Sequence, residues 1–199
     1  MKSSQIFIKA LFDFLLALIG LALLIPIIIL AWVVASIETR SNGFFLQRRV
    51  GRHGQLFTLI KIKTMKPVLG VNTNVTKKND IRITKSGIFF RKTKIDELPQ
   101  LWNVLIGQMS FVGPRPDVKG YADKLQGKDR IVLSVRPGIT GPASLKYRNE
   151  ETLLLEQNTP EQYNDEVIWP DKVKININYI NHWSFIQDMR YIYQTITGV

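Results

Sequence analysis

The sequence predicts a mixed α/β, helix-dominated protein built on a membrane. It should have an N-terminal membrane helix–break–helix, amphipathic interfacial helices and a small β element. Three observations carry this. Phe14 to Ile37 is 24 residues without a charge. Helical spacing recurs downstream, most clearly at Leu98, Leu101, Trp102 and Leu105. Between them, Phe44–Leu46 and Leu56–Ile62 are short apolar segments on either side of a turn with two glycines, Gly51 and Gly54.

The apolar run comes first. As a straight helix it would reach roughly 36 Å, enough for a ~30 Å hydrocarbon core. Pro26 divides it into Phe14–Ile25 and Ile27–Ile37. Proline removes a donor and clashes with the preceding turn, so a kink is expected and each leg of about 17–18 Å is too short to span alone. Basic residues flank both ends: Lys2 and Lys9 before, Arg40, Arg48, Arg49 and Arg52 after. A spanning helix normally shows this bias on one side. The residues leave two topologies open, a re-entrant helix–break–helix and a kinked single span. Asp13, costly at depth, is expected at headgroup level, paired with Lys9. Residues 1–37 are thus read as the membrane element and 38–199 as a single domain outside it.

Beyond it, Gln47–Gly54 reads as a turn and Leu56–Ile62 as a strand. Lys66–Asp80, rich in Gly, Asn, Thr and Pro, reads as a mobile loop. Phe89–Lys94 leads into the helix of Leu98–Leu105; Pro99 places its start near Asp96, and Gly107 stops it. Met109–Pro116 and Arg136–Pro142 are stiff turns. Tyr121–Leu133 and Glu150–Gln157 read as helices. Val173–Thr195 is helical with a break at Asn181–Ser184.

Composition narrows the chemistry. The 199 residues hold 27 Lys and Arg against 16 Asp and Glu, two His and no Cys. Disulfides, thiolate metal sites and a Cys nucleophile are excluded. From Glu38 to Gln100 there are 14 Lys and Arg against 4 Asp and Glu; from Leu101 to Val199 the counts are 11 and 11. The positive potential therefore belongs to one segment, and it calls for an anionic partner: lipid headgroups, phosphorylated substrates or nucleic acid.

Inside that basic segment stands Asp96-Glu97. A bland account is available: Asp favours N-caps, and Glu in a first turn suits the helix dipole. The functional account places a metal–phosphate at the turn, with one carboxylate on Mg²⁺ and the other attacking phosphorus. Lys61, Arg91, Arg115, Arg136 and Arg148 are then candidates for the phosphoryl oxygens. Arg115 and Arg136 adjoin prolines, which fix the backbone from which a bidentate guanidinium starts. Each could equally be a structural ion pair. P-loop, dinucleotide and zinc-protease signatures are missing.

Six motifs in series now resemble one family. They are Lys9-Ala-Leu-Phe-Asp13; Gln47-x-Arg49-x-Gly51-x-x-Gly54-x-x-Phe57; Lys61-x-Lys63-Thr64-Met65; Asp96-Glu97-Leu98-Pro99-Gln100-Leu101-x-Asn103-Val104-Leu105; Met109 to Pro116; and Arg136-Pro-Gly-Ile-Thr-Gly141. Together they resemble the bacterial sugar transferases, small monotopic phosphoglycosyl transferases, from about Lys9 to the C-terminus. The resemblance implies a bare catalytic unit on the cytoplasmic face of the bacterial inner membrane, held by a re-entrant helix that breaks at Pro26. It implies transfer of sugar-1-phosphate from a UDP-sugar to undecaprenyl phosphate, with release of UMP, as the first membrane step of capsule, O-antigen, exopolysaccharide or glycoprotein assembly. Asp96 would form a covalent phosphosugar, and Glu97 with Asp96 would hold Mg²⁺. The partners implied are donor, acceptor and bilayer, with no nucleic acid; a homodimer is left open.

The sequence also departs from the family pattern. Ala10 stands where Arg is frequent, Ile25 precedes Pro26 where Ser is usual, and Gln108 stands where an acid is common. Pro142-Ala143-Ser144 replaces Trp-Ala-Gln, so the sugar cannot be transferred from relatives. The competing readings are a non-catalytic basic membrane module binding anionic lipid or nucleic acid, and a metal-dependent lipid phosphatase.

Overall fold

The computed structural model describes residues 3–66 and 80–198. Residues 67–79, the centre of the loop expected between Lys66 and Asp80, lie outside the described residues.

The apolar run forms part of one helix, α1, Ser3–Thr39. The helical assignment is continuous across Pro26, where the sequence predicts two legs. Proline deletes only its own N–H from the ladder, and the turns on either side keep theirs. Most large side chains of α1 face outward, including Leu23, Leu30 and Ile37, while Ala17, Ile28, Ala31 and Ala35 are buried. A helix that is apolar all round and exposed suits a lipid environment.

Strands β1 (Phe44–Val50) and β2 (Leu56–Ile62) pair as a two-stranded sheet. The strand continues through Gln47–Val50, so the predicted turn shrinks to the residues around Arg52–Gly54, a 3₁₀ turn with His53 and Gly54 at positive φ. Chain contacts then divide the molecule into two compact units: residues 1–15, 48–57 and 104–199, and residues 16–47 and 58–103.

The second unit contains helix α2 (Lys85–Thr93), the 3₁₀ turn Ile95–Glu97 and helix α3 (Gln100–Leu105). Its core joins Ile28, Ala31 and Ala35 of α1 to Ile62 and Phe90, with Ile95 and Leu98 packed against them. Helix α2 starts earlier than Phe89 because Thr84 caps it, its Oγ1 accepting from the Gly87 amide at 3.0 Å.

The first unit holds the two proline-rich turns, which prove to be strands: β3 (Ser110–Val112) and β4 (Gly138–Thr140) run parallel, with Ser110 opposite Gly138 and Val112 opposite Thr140. Gly138 is required there, since a Cβ would sit 2.2 Å from the Gly113 nitrogen. The predicted helix Tyr121–Leu133 is instead two 3₁₀ segments, Ala122–Lys124 and Gly127–Ser134; Gly127, at φ +55°, interrupts it. Helices α4 (Pro142–Lys146), α5 (Glu150–Leu155), α6 (Pro160–Tyr163), α7 (Trp169–Asn181) and α8 (Phe185–Thr197) follow. The α7–α8 break falls where the apolar spacing failed. Tyr179, Ile180 and Trp183 pack with Val112, while α8 leaves Ile186, Tyr193 and Ile196 exposed.

Candidate active site

The acidic pair is held by a backbone reversal. Lys94 adopts a left-handed conformation, φ 59°, which ends α2 and starts the 3₁₀ turn containing Asp96 and Glu97. Ile95 and Leu98 anchor that turn in the apolar core. Asn103 then ties α3 to β2: its side chain accepts from the Ile60 amide at 3.2 Å and donates to the Thr58 carbonyl at 2.8 Å. Asn103 is 1% exposed. These bonds satisfy backbone groups on β2 and fix β2 against the acidic turn.

One consequence is an ion pair. Lys61, at the end of β2, donates from Nζ to Glu97 Oε1 at 2.8 Å, with both side chains largely buried. Asp96 is buried beside it, 9% exposed, and its Oδ1 has no hydrogen-bond partner among the described residues. Burial pushes the Asp96 carboxyl above the usual carboxylate range and the Glu97 charge adds to that; Lys61, Lys94 and Arg91 pull it back down. Asp96 therefore does not serve as the plain N-cap of the bland reading. Arg91, on α2, donates from Nε to Thr64 Oγ1 at 2.9 Å.

Four candidates, Lys61, Arg91, Asp96 and Glu97, thus lie within the second unit. The other three lie within the first. Arg115 is exposed, and its charge acts on Arg49 and on the partly buried Asp117. Burial raises the Asp117 carboxyl to about 6, against the lowering effect of Lys172, Arg49 and Arg115. Arg136 lies over Gly107, where a Cβ would be 3.6 Å from its Nη2. Arg148 donates to the Gln194 and Gly198 carbonyls at the end of α8.

The Lys9 expectation needs correction. Lys9 Nζ pairs with Asp188 Oδ2 at 2.5 Å, and Tyr179 and Trp183 donate to the same carboxylate. Asp13 accepts instead from the Phe111 amide at 3.2 Å. Lys9 and Asp13 stand about one helical turn apart, yet the carboxylate that accepts from Lys9 lies 179 residues away. Sequence reasoning missed Asp188, and gave Asn103 and Thr64 no role. For Asn103 a signal existed, an amide set inside the apolar run Leu101–Leu105; for Asp188 there was none.

Among the described residues no group of three or more His, Asp or Glu could by itself enclose a metal ion. Two adjacent carboxylates, one with a buried oxygen unclaimed, still fit Mg²⁺, which keeps waters and takes oxygens from substrate phosphates.

The bacterial sugar transferase family matches residues 4–199. The chain is 35% identical over 192 residues to the uncharacterized sugar transferase EpsL of Bacillus subtilis (strain 168), covering 96% of this chain and 87% of that protein. It is 37% identical over 211 residues to the galactosyl transferase CpsE of Streptococcus agalactiae serotype III (strain NEM316), covering 100% of this chain and 43% of the relative. It is 35% identical over 196 residues to a UDP-glucose:undecaprenyl-phosphate glucose-1-phosphate transferase of Klebsiella pneumoniae, covering 94% of this chain and 39% of the relative. Against these last two the chain spans about two-fifths of the relative's length. The chain is an enzyme of the phosphoglycosyl transferase class. It belongs to the bacterial sugar transferase family, and its apolar α1 marks it as membrane-associated.

Proposed function

We propose that this chain moves sugar-1-phosphate from a UDP-sugar to undecaprenyl phosphate. The observation that carries this reading is the Asp96 carboxyl: buried, unclaimed at Oδ1, and surrounded by Lys61, Arg91 and Lys94. In the first half-reaction an Asp96 oxygen attacks the sugar-bearing phosphorus. The bond to the other phosphate breaks, and UMP leaves with that electron pair. In the second, an oxygen of the lipid phosphate attacks the same phosphorus, the Asp96 carboxylate leaves, and the product is a polyprenyl diphosphate sugar.

Asp96 and Glu97 would hold Mg²⁺, which when bound neutralises the diphosphate oxygens. Lys61 holds the Glu97 carboxylate in place through their ion pair. The Arg91 guanidinium supplies donors for the phosphoryl oxygens, whose charge would otherwise repel an anionic nucleophile. Arg115, Arg136 and Arg148 are the remaining candidate phosphate ligands.

In the same reading α1 is re-entrant, bending at Pro26 without losing its helical course and returning to the cytoplasmic face of the inner membrane, with the apolar stripe of α8, Ile186, Tyr193 and Ile196, at the lipid interface. Site-specific cysteine labelling suits a Cys-free chain: residue 3 should label from the cytoplasm, and labelling only from the periplasm defeats the topology.

The activity is tested with UDP-glucose, UDP-galactose and UDP-N-acetylgalactosamine, undecaprenyl phosphate and Mg²⁺, reading UMP release. Intact mass of enzyme quenched with donor alone should show one sugar-phosphate increment, that of the donor used. Phosphate release without sugar on the lipid would instead identify a phosphatase.

A further inference from the structure

We propose that Thr64 is a positioning residue that locks the Arg91 guanidinium for phosphate binding; this rests on the reading of Arg91 given above. Thr64 is 7% exposed, and its hydroxyl oxygen accepts from Arg91 Nε at 2.9 Å. A β-branched side chain is stiff at χ1, so the acceptor does not wander. The backbone of the same residue holds the start of the helix that carries the arginine. The Thr64 carbonyl accepts from the Thr84 amide at 3.0 Å, at the cap of α2.

That approach depends on Gly87, because a Cβ there would lie 2.4 Å from the Thr64 oxygen. Glu38 secures the same turn of α2 by accepting from the Ser86 amide at 3.2 Å and from its hydroxyl. One residue therefore anchors both the helix that carries Arg91 and the inner edge of its guanidinium. The two terminal nitrogens of Arg91 make no hydrogen bond among the described residues. With Nε engaged inward, the fork they form is oriented before any ligand arrives. Preorganisation of this kind strengthens binding by removing the ordering that a mobile side chain would undergo.

The test is a double-mutant cycle on the full chain in detergent micelles, with UDP as the probe and its Kd as the readout. UDP carries both phosphates and no sugar, so the result does not depend on the donor's identity. Thr64→Val should weaken UDP up to about tenfold, the cost of ordering one rotamer-rich side chain on binding. In an Arg91→Ala background the same change should cost less than about twofold, since there is no guanidinium left to orient. Thr64→Ser, which keeps the hydroxyl, should restore most of the affinity. Equal losses in both backgrounds would overturn the proposal, because a merely structural threonine acts regardless of Arg91. If Thr64→Val lowers the thermal midpoint sharply, the Thr64→Ser variant decides: near-native affinity supports the hydroxyl, and a full loss refutes it. Unchanged UDP binding in Arg91→Ala alone would reject Arg91 as a phosphate ligand, a separate failure with its own signature.

Discussion

Asp188 and Asp96 are two buried aspartates with opposite surroundings. Asp188, 3% exposed, receives Lys9, Tyr179 and Trp183. Both of its oxygens are claimed, and the ion pair is buried. Asp96, 9% exposed, keeps an oxygen unclaimed, while its cationic neighbours act on it through their fields. The first arrangement is a closed account of donors and acceptors, which holds structure. The second leaves an oxygen that is costly to bury without a partner, tolerated where a ligand or a reaction supplies one. Burial alone does not separate a structural carboxylate from a reactive one, and neither does one unclaimed oxygen, since Asp13 Oδ2 is also buried without a partner among the described residues; at Asp96 the unclaimed oxygen coincides with an adjacent carboxylate, Glu97, held by Lys61.

The comparison breaks most readily at its reactive member. Asp96→Asn should lower UMP release by at least about a thousandfold and abolish the mass increment, because an amide is a poor nucleophile. The variant's unfolding midpoint should change little. Asp188→Ala should do the reverse, costing about 3–5 kcal/mol of stability by leaving the Lys9 ammonium buried and unpaired. Urea denaturation checks it, and a loss below ~1 kcal/mol would show that the pair is well solvated.

A middle-sized effect falls between them. Glu97→Gln should raise the Mg²⁺ concentration for half-maximal rate by about 10–100-fold, read by metal titration of turnover. An unchanged titration would remove Glu97 from the metal.

The smallest effect is on pH dependence. Asp117 titrates near about 6 when folded, against 3.8 ordinarily. Between those values the native state binds more protons than the unfolded one, so stability falls as pH rises from about 4 to about 6 and is flat beyond. Asp117→Asn should remove that slope from a pH series of denaturation midpoints. For Asp96 the same upward direction means that turnover drops as pH falls, with its acidic limb above the ordinary carboxylate range.

Local patterns reported the elements well wherever spacing carried the information. The apolar run of α1, the strand β2, the helix ending at Gly107 and the α7–α8 break were all legible. The failures have physical causes. Tyr121–Leu133 looked helical by composition, but Gly120 and Gly127 at positive φ turn it into 3₁₀ segments. Met109–Pro116 and Arg136–Pro142 looked like isolated turns because a parallel ladder pairs residues far apart, which no local window contains.

By itself the sequence determined the apolar helix, the basic segment, the adjacent carboxylates and the motif series that marks the family, because each is a property of neighbours along the chain. Only the tertiary structure decided that Lys61 meets Glu97, that Thr64 holds Arg91, and that Lys9 pairs with Asp188. Those partners are chosen by geometry and by which buried polar groups still need one, and that accounting is settled only once the chain has closed on itself.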